Sequence, residues 1–233
     1  MSNIRLFFSE SLSINFKSRL DKSQSHYLTK VMRVKKGKNF FLFNKNGEWE
    51  AIVCDIKKGV VEFSILKKTR SIENENEIWL AFAPIKFNYL NIMLQKATEL
   101  GVTKFIPILT QRTIVRNLNE TRLNKILIES SEQSNRIKIP KLEKIITLDN
   151  FLKLNSDSHI IFGDLNTSNN KLKLENKSPL CVLIGPEGDF TAEERIKILK
   201  LKKLTSIKIN KNILRSETAA ISLLSILSFK LLS

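Results

Sequence analysis

Residues 183–194 constrain the fold of this chain more than any other stretch. An apolar tetrad at 181–184 runs into two glycines three residues apart, Gly185 and Gly188, with Pro186 between them. Glycine adopts backbone angles closed to other residues and lets a neighbouring group approach the main chain, whereas proline stiffens the loop. We therefore expect a buried strand that ends in a tight, rigid loop.

A helix is predicted to start directly after this loop. Thr191 and Glu194 have the three-residue spacing of a capping box, in which each side chain satisfies a backbone N–H group of the other residue. Parallel α/β proteins bind small ligands at strand-to-helix loops of this kind. An ordinary strand-to-helix turn has the same short signature, so on this stretch alone both interpretations stay open.

From residue 78 onward, the hydrophobic pattern alternates between strands and helices. The expected strands are residues 78–83, 102–109, 159–162, 180–184 and 205–209. The expected helices are residues 88–101, with Asn88 as the cap, and residues 119–135, 191–203 and 217–232. This alternation predicts a mostly parallel sheet covered by helices on both faces.

Two segments of this part differ from the general pattern. The last helix, 217–232, is apolar on nearly every side, so we expect it to be buried or to lie in an interface. Residues 164–179 are polar and rich in asparagine, and we expect them to form a surface loop of no special role.

The first part of the chain has the pattern of a small β-barrel. Short apolar runs at 4–8, 40–43, 49–54 and 60–66 predict strands, and Asn46-Gly47 predicts a hairpin turn. Residues 25–33 suit a short helix between the first strand and the others. The polar segment 67–77 changes from basic to acidic and has no apolar period, which predicts domains of 1–72 and 73–233.

The charge of the chain indicates a polyanionic partner. Lysine and arginine number 39 against 23 acidic residues, which gives a formal net charge of +16. A basic surface gains free energy when it releases counterions from a phosphate backbone, so RNA or DNA is the expected partner. Heavy use of lysine, asparagine and isoleucine, as in A/T-rich genomes, is the alternative explanation.

The turn at Gly37 is crowded by four basic residues, Arg33, Lys35, Lys36 and Lys38. They form either an ordinary solvated turn or a basic rim that holds RNA phosphates.

Features that the sequence lacks exclude several other functional classes. No apolar run reaches the length of a membrane span and no signal segment opens the chain, so we expect a cytoplasmic protein without a membrane partner. Cys54 and Cys181 lie far apart in apolar settings and are expected to be reduced. His26 and His159 have no metal-ligand spacing, which predicts no metal site. The glycine-rich dinucleotide fingerprint and the phosphate-binding P-loop are also absent.

A second strand-to-helix loop has the same sequence pattern as the first. Residues 209–220 combine a strand end, a polar turn and a helix start near Ser216 or Glu217. Arg215 and Glu217 flank that start, and a salt-bridged helix cap is the simpler explanation of the pair. Two such loops nevertheless offer the backbone N–H and C=O groups that an adenosine-like ligand needs.

Four motifs, taken together, resemble one class of enzymes. Gly-Pro-Glu-Gly-Asp-Phe-Thr at 185–191 and Ile-Leu-Arg-Ser-Glu-Thr-Ala at 213–219 are similar to the SPOUT class of S-adenosylmethionine-dependent RNA methyltransferases. Within that class, Gln-Lys-Ala-Thr-Glu-Leu-Gly at 95–101 and Glu-Gln-Ser-Asn-Arg at 132–136 resemble the 16S rRNA (uracil(1498)-N(3))-methyltransferase family. Arg5 and residues 26–34 fit the PUA-like N-terminal domain of that family.

The resemblance implies a fold, an assembly and a cofactor. The fold is a C-terminal SPOUT α/β domain tied in a trefoil knot, preceded by a small PUA-like β-barrel that binds RNA. The assembly is a homodimer whose interface is formed by the knot helices. The cofactor, S-adenosyl-L-methionine, is expected to contact Leu183, Ile184, Gly185, Pro186, Glu187, Gly188, Ile209, Asn210, Ile213, Leu214, Arg215, Thr218 and Ala219.

This chain departs from the family at two positions. Asp189 and Asn210 stand where the family usually has glycine. Asparagine tolerates the left-handed backbone conformation best among the other residues, so we expect the change at Asn210 to be mild.

The resemblance also implies a reaction, the methylation of N3 of a uridine in 16S rRNA of the small ribosomal subunit. Uracil N3 carries a proton that must leave before the nitrogen becomes a nucleophile. Arg136 and Arg215 are expected to orient the uracil carbonyls. The expected proton acceptors, or partners of those arginines, are Glu132, Glu187 and Glu217, and simple ion pairing stays open for each. The residues expected to hold RNA phosphates are Arg5, Arg33, Lys35, Lys38, Lys86 and Arg112.

Two rival functions stay open at this point. One is a SPOUT methyltransferase that acts on another RNA position, and the barrel together with residues 132–136 argues against it. The other is a non-catalytic RNA-binding assembly factor, against which the two intact cofactor loops count.

Overall fold

The computed structural model describes residues 4–72, 74–155, 157–172, 174 and 179–232. Its contacts divide the chain into two compact units. One comprises Met1–Asn74 with Ser131–Lys138, and the other comprises Glu75–Ser130 with Ile139–Ser233. A short segment from the middle of the sequence therefore belongs with the N-terminal part.

The first unit is a five-stranded sheet with one short helix. Its strands are β1 (Arg5–Phe7), β2 (Lys17–Arg19), β3 (Asn39–Asn44), β4 (Gly47–Lys57) and β5 (Val60–Arg70). Their order is β1-β3-β4-β5-β2, with β1 parallel to β3 and the other pairs antiparallel. Helix α1 (Lys22–His26) continues as a π-helical segment, Tyr27–Val31.

This sheet curls around an aromatic core. Phe8 follows one edge strand and Phe16 precedes the other, yet their ring centroids lie only 6.4 Å apart. Phe8 and Phe40 both meet the buried ring of Phe63 edge-on. Register shifts between β4 and β5 add to the local bend. Because the two edges of the sheet meet over one core, the unit is the small barrel that the sequence predicts.

Two local predictions in the barrel need adjustment. The hairpin between β3 and β4 is present, but its two turn residues are Lys45 and Asn46, and Gly47 already opens the next strand. The helix expected at 25–33 instead begins at Lys22 and ends in the π-helical segment. Strand β2 was not expected, because Lys17–Arg19 has too little apolar content for a strand signal.

The second unit is a parallel sheet flanked by helices. Its strands are β6 (Ile78–Phe82), β7 (Lys104–Leu109), β8 (Lys141–Leu142), β9 (Ile146–Thr147), β10 (His159–Gly163), β11 (Leu180–Ile184) and β12 (Leu204–Ile207). Its helices are α2 (Phe87–Glu99), α3 (Glu120–Gln133), α4 (Leu148–Leu154), α5 (Ala192–Leu199) and α6 (Ser216–Leu232), and the last three residues of α3 are grouped with the first unit. The strand order is β12-β10-β11-β6-β7-β8, β9 also pairs with β7, and all these pairs are parallel.

Alternate residues of this sheet enter two separate cores. On β6, Leu80 belongs to a cluster that includes residues of α2, α3 and α6. The next residue, Ala81, belongs to a second cluster with Phe151 of α4 and Ile198 of α5. This period of two confirms a parallel sheet covered on both faces, and with the barrel it confirms the predicted fold class. The trefoil knot and the domain limits of 1–72 and 73–233 stay predictions.

The observed ends of the helices agree with some of the sequence signals and not with others. The capping box is formed, since Thr191 and Glu194 exchange both of its hydrogen bonds at the start of α5. The cap expected at Asn88 is wrong, because α2 begins at Phe87 and Lys86 holds the cap position without a side-chain hydrogen bond. Strands β8 and β9 have two residues each, which is too short for a periodic signal.

The two cysteines are free thiols, as expected. Burial raises the pKa of the Cys181 thiol to about 12, so it stays protonated at neutral pH. Among the helices of the described ranges, none has the length and apolar character needed to cross a bilayer.

Candidate functional site

A cavity of about 480 Å³ opens at the carboxyl ends of three neighbouring strands of the second unit. Gly163 and Asp164 end or follow β10, residues 184–187 end or follow β11, and residues 209–215 follow β12. Lys86 and Tyr89, at the start of α2, close another side. Because parallel strands end at one edge of a sheet, loops far apart in sequence build a single pocket there.

Most of the residues predicted to contact a cofactor line this cavity. They are Ile184, Gly185, Pro186, Glu187, Ile209, Asn210, Ile213, Leu214, Arg215 and Ala219. The other three do not line it: Leu183 is buried in the core, whereas Gly188 and Thr218 are exposed on the surface.

Gly185 is needed for close packing rather than for unusual backbone angles. A Cβ atom at this position would lie 2.8 Å from the ring of Phe190, whereas φ of Gly185 is not positive. Phe190 in turn packs edge-on against Phe162, with ring centroids 5.5 Å apart. The Gly185 carbonyl also accepts a hydrogen bond of 2.7 Å from Ser216 Oγ, which ties the first loop to the start of α6.

Asp189 has the left-handed conformation that its place in the family pattern indicates. Its φ is +60°, and its Oδ1 accepts a hydrogen bond of 2.8 Å from the Phe190 N–H. Short polar side chains tolerate this region because they bond the local backbone. Asn210, the other departure, does not have a positive φ, so no left-handed position has to be tolerated there.

A loop after β7 supports the first cofactor loop from outside. The Arg112 guanidinium donates to the Gly188 carbonyl over 2.6 Å. Glu194 accepts from the Thr191 N–H in the capping box and, with its other oxygen, from the Gln111 N–H over 2.8 Å. The two loops are therefore joined at two points.

Asp164 contradicts the expectation that residues 164–179 have no special role. Its side chain is 1% exposed and receives Nε and Nη2 of Arg195, at 3.1 and 2.8 Å, and Ser206 Oγ at 2.8 Å. Burial acts to raise the pKa of Asp164, but the hydrogen bonds from Arg195, the Asn166 N–H and Ser206 outweigh it and hold the pKa below the ordinary value. Residues 173 and 175–178 of this stretch lie outside the described residues.

Arg215 lies at the mouth of the cavity. Its guanidinium carbon is 5.1 Å from the centroid of the Tyr89 ring. Tyr89 is the main cause that raises the pKa of Arg215 above its ordinary value, and Glu217 and Glu187 add to it. Arg215 is thus a permanent cation beside the cavity, and the buried Glu217 follows it on the first turn of α6.

The other predicted catalytic residues lie in the first unit. Glu132 Oε1 accepts from the Phe7 N–H over 2.9 Å, and the Arg136 carbonyl accepts from Arg5. The structure therefore places Glu187 and Arg215 in the lining of the cavity, Glu217 buried two residues after Arg215, and Glu132 and Arg136 at the edge of the barrel.

Arg5 does not have the surroundings expected of a phosphate-binding residue. It is 8% exposed, pairs with Glu48, and donates to the backbone carbonyls of Ser131, Glu132 and Arg136. Its guanidinium is used inside the unit, so we leave it out of the RNA-binding set. The other predicted phosphate-binding residues, Arg33, Lys35, Lys38, Lys86 and Arg112, are all exposed.

Sequence reasoning missed several residues that line the cavity: Tyr89, Gly163, Asp164, Leu165, Asp189, Asn212 and Ser216. Gly163 and Asp164 had a usable signal, because they end or follow a buried strand next to β11. The rule that ligands bind at neighbouring strand ends applies to them as it does to Gly185.

Comparisons with known proteins agree with this fold. The family described as "RNA methyltransferase domain" matches residues 72–228, and the family described as "RNA methyltransferase PUA domain" matches residues 20–66. Together with the parallel sheet and its strand-end cavity, these matches make the chain an RNA methyltransferase with a PUA domain.

Curated relatives narrow the assignment. "Ribosomal RNA small subunit methyltransferase E" of Rickettsia conorii is 34% identical over 94% of this chain and 92% of its own length. The enzyme of the same name from Buchnera aphidicola is 29% identical over 97% of this chain and 96% of its own length. The chain belongs to the ribosomal RNA small subunit methyltransferase E family, which confirms the family resemblance.

Two solved structures are similar over nearly the whole chain. The ribosomal RNA small subunit methyltransferase E of Neisseria gonorrhoeae, bound to S-adenosylmethionine, has a TM-score of 0.89, 26% identity and 98% coverage of both chains. A putative methyltransferase of Legionella pneumophila, in complex with the same cofactor, has a TM-score of 0.89 and 27% identity over 99% of this chain and 98% of its own. The predicted cofactor is the one bound in both relatives.

Proposed function

We propose that this protein transfers a methyl group from S-adenosylmethionine to N3 of a uridine in the ribosomal RNA of the small subunit. By family resemblance the target is uridine 1498 of 16S rRNA. The observation that carries the proposal is the cavity at the ends of β10, β11 and β12, because both predicted cofactor loops line it.

The residues of the cavity suit this cofactor. A volume of about 480 Å³ lies within the range of small-molecule sites. A Cβ atom at Gly163 would lie 3.0 Å from Ile184 and 3.3 Å from Ile209, so glycine lets these two side chains pack closely against the end of β10. Ile184 and Ile209 line the cavity and offer an apolar surface to a flat adenine ring, and the adjoining loops offer backbone polar groups to its edge. When bound, S-adenosylmethionine supplies an electrophilic methyl group.

The cation and carboxylates at the mouth of the cavity have roles in activating the uracil. Arg215 stays charged and is placed to orient the uracil carbonyls and to favour loss of the N3 proton. Glu187 and Glu217 either accept that proton or hold Arg215 in place. Arg136 and Glu132, in the first unit, remain candidates for the same roles. Because N3 is on the pairing edge of uracil, the target must be unpaired or flipped out.

RNA binding is assigned to the exposed basic residues of both units. Arg33, Lys35 and Lys38 lie on the barrel, in the proposed RNA-binding domain 1–72. Lys86 lines the cavity in the proposed catalytic domain 73–233, and Arg112 lies beside it. Their charge attracts RNA phosphates, and the net charge of +16 raises the rate of encounter.

The protein is further proposed to act as a homodimer in the cytoplasm. Helix α6 leaves Phe229 and Leu232 exposed by 74% and 86%, which is costly for an apolar helix in water. A second copy of the chain would cover this surface, as the resemblance implies.

Mass spectrometry of nucleosides tests the reaction. Small ribosomal subunits that lack the modification are incubated with the protein and S-adenosylmethionine. New N3-methyluridine supports the proposal, whereas a methyl group on a ribose or another base contradicts the assigned position. No methylation together with no cofactor binding favours the assembly-factor alternative. Arg215→Ala and Arg136→Ala then test the assigned roles, with cofactor affinity measured separately.

A further inference from the structure

A shallow recess lies beside the cofactor cavity and shares three residues with it. The shared residues are Lys86, Pro186 and Glu187, and the remaining wall is formed by residues 84–85 and by Arg112, Ile114 and Val115. The recess has a volume of about 20 Å³, so it admits the edge of a ring and not a whole one. The recess is lined by apolar side chains, two cations and one carboxylate, a combination that differs from the lining of the cavity.

The wall at residues 112–115 has a rigid base. The Thr110 N–H donates to Thr113 Oγ1 over 2.9 Å, and the two hydroxyl groups are 2.8 Å apart. Both threonines are buried. The Gln111 N–H bonds Glu194, and Arg112 bonds the Gly188 carbonyl. The start of this segment is thus fixed to the first cofactor loop.

The residues beyond this base are exposed. Ile114 is 78% exposed although it borders the recess, which leaves a large apolar side chain in water. Arg112 and Arg116 flank it and are exposed as well. Across the recess, Lys86 is exposed at the mouth of the cavity. An apolar side chain among three cations matches one kind of ligand, a flat ring attached to an anionic backbone.

We infer that this recess receives the target base of an unpaired RNA strand. The face of the base lies on Ile114, its edge enters the recess between Lys86 and Glu187, and Arg116 holds a neighbouring phosphate. The shared residues then place the base next to the cofactor cavity. This inference rests on the proposed function, because it names where the RNA substrate of the same site is held.

Substitution of the exposed isoleucine tests the inference. Ile114→Ser removes the apolar contact without emptying a core, and Ile114→Leu retains it. Leu154→Ser is the matched control, because Leu154 is 75% exposed on α4 of the same unit and lines neither pocket. Binding of unmodified small ribosomal subunits, the KM for those subunits in methylation, the Kd of S-adenosylmethionine and the molar mass are measured for each variant.

We expect an effect on RNA binding and not on cofactor binding. Ile114→Ser should weaken subunit binding and raise the KM about tenfold, whereas Ile114→Leu, Leu154→Ser and the cofactor Kd should stay within about twofold of the wild type. Subunit binding by Ile114→Ser equal to that of the wild type would overturn the inference. A reduced cofactor affinity or a loss of dimer mass would overturn it too, since Ile114 would then belong to the cofactor site or to a subunit interface. If the wild type binds subunits but forms no N3-methyluridine, the proposed function fails while the binding comparison still decides this inference.

Discussion

The two loops that line the strand-end cavity are supported very differently. Residues 185–191 are held on several sides, by Phe190 against Gly185, by the Arg112 guanidinium on the Gly188 carbonyl, and by the capping box. In residues 209–215, the Asn212 N–H donates a hydrogen bond of 2.9 Å to Asn210 Oδ1, and the Arg215 guanidinium lies by the Tyr89 ring. Ile213 in this second loop is 84% exposed.

We therefore expect the first loop to keep its conformation without a ligand and the second loop to open more readily. A loop with many buried contacts opens only at a high cost in free energy, whereas an exposed loop opens at a low cost. Ser216 joins the two sides through the Gly185 carbonyl, and Asp164 supports the base of the second loop through Ser206. The four substitutions below probe the first loop, the two supports and a single backbone position.

The largest effect is expected from Gly185→Ala. The new Cβ atom would lie 2.8 Å from the Phe190 ring, which is itself packed in the core, so the ring and the loop must shift. We expect a loss of about 3 kcal/mol in the free energy of unfolding and a large loss of cofactor affinity. Chemical denaturation and calorimetric titration with S-adenosylmethionine measure the two quantities.

Gly188→Ala is the control in the same loop. Its Cβ atom would come no closer than 3.5 Å to Arg112, which is an ordinary contact, so the free energy of unfolding should change by less than about 0.5 kcal/mol. A Gly185→Ala protein as stable as Gly188→Ala would show that the first loop is not rigidly packed, and the comparison of the two loops would fail.

Asp164→Asn should have the next largest effect. The change removes the charge that Arg195 and Ser206 bond, and we expect a loss of about 2 kcal/mol at neutral pH. Because the folded-state pKa of Asp164 lies below its ordinary value of 3.8, this contribution is present above that pH and is lost as the pH falls through the folded-state pKa. Denaturation from pH 7 to pH 3 should therefore show the wild type and the variant converge in acid.

Lys197→Ala is the matched control on the same helix. Lys197 pairs with Asp149 at 2.8 Å, but both side chains are more than half exposed. Its removal should leave the free energy of unfolding nearly unchanged, because solvent screens an exposed ion pair. Equal losses for Asp164→Asn and Lys197→Ala would mean that the buried pair gives the second loop no special support.

Ser216→Ala should have a smaller effect. It removes the hydroxyl that bonds the Gly185 carbonyl, at a cost of about 1 kcal/mol, and should weaken cofactor binding about fivefold because the two loops are no longer joined. Ser225→Ala, at an exposed position of the same helix, should leave both quantities nearly unchanged. Weaker cofactor binding by Ser225→Ala to the same degree would assign the effect to the helix and not to the bond.

The smallest change is expected from Asp189→Gly. Glycine relieves the cost of a φ of +60°, but the variant loses the bond to the Phe190 N–H, so the two effects nearly cancel to within about 0.5 kcal/mol. Asp189→Ala loses the bond and keeps the backbone cost, and should be less stable by about 1 kcal/mol. Urea denaturation of Asp189→Gly and Asp189→Ala separates the cost of the positive φ from the loss of the hydrogen bond. Equal stabilities of the two variants would show that the backbone conformation costs nothing here.

The sequence predicts the elements of the second unit well where the signal is local. The capping box at Thr191 and Glu194 needs only two residues three apart, and it is formed. The cap at Asn88 failed because local signals fix a helix end only to within one or two residues, and the observed cap is Lys86, two residues earlier. Helix α4 has only seven residues, which is too short for a clear apolar period.

Predictions for the site also depend on whether the signal is local in sequence. The two loops and Arg215 could be predicted to lie together because their motifs are continuous in sequence, and all contribute to the lining of the cavity. Asp164 was missed because its partners, Arg195 and Ser206, are more than thirty residues away, and a polar stretch gives no sign of such contacts. Arg5 was predicted to bind RNA because a lone basic residue is usually exposed. Its guanidinium instead donates hydrogen bonds to backbone carbonyls that lie far away in the sequence.

The bonds of Arg5 have a consequence for how the protein is made. The ribosome releases the barrel strands first, but the three carbonyls that Arg5 needs belong to residues 131, 132 and 136. Until that segment emerges, the Arg5 guanidinium has Glu48 as a partner but lacks these three carbonyl acceptors, which is unfavourable for a buried charge. The N-terminal unit therefore finishes folding only after more than half of the 233 residues have been translated.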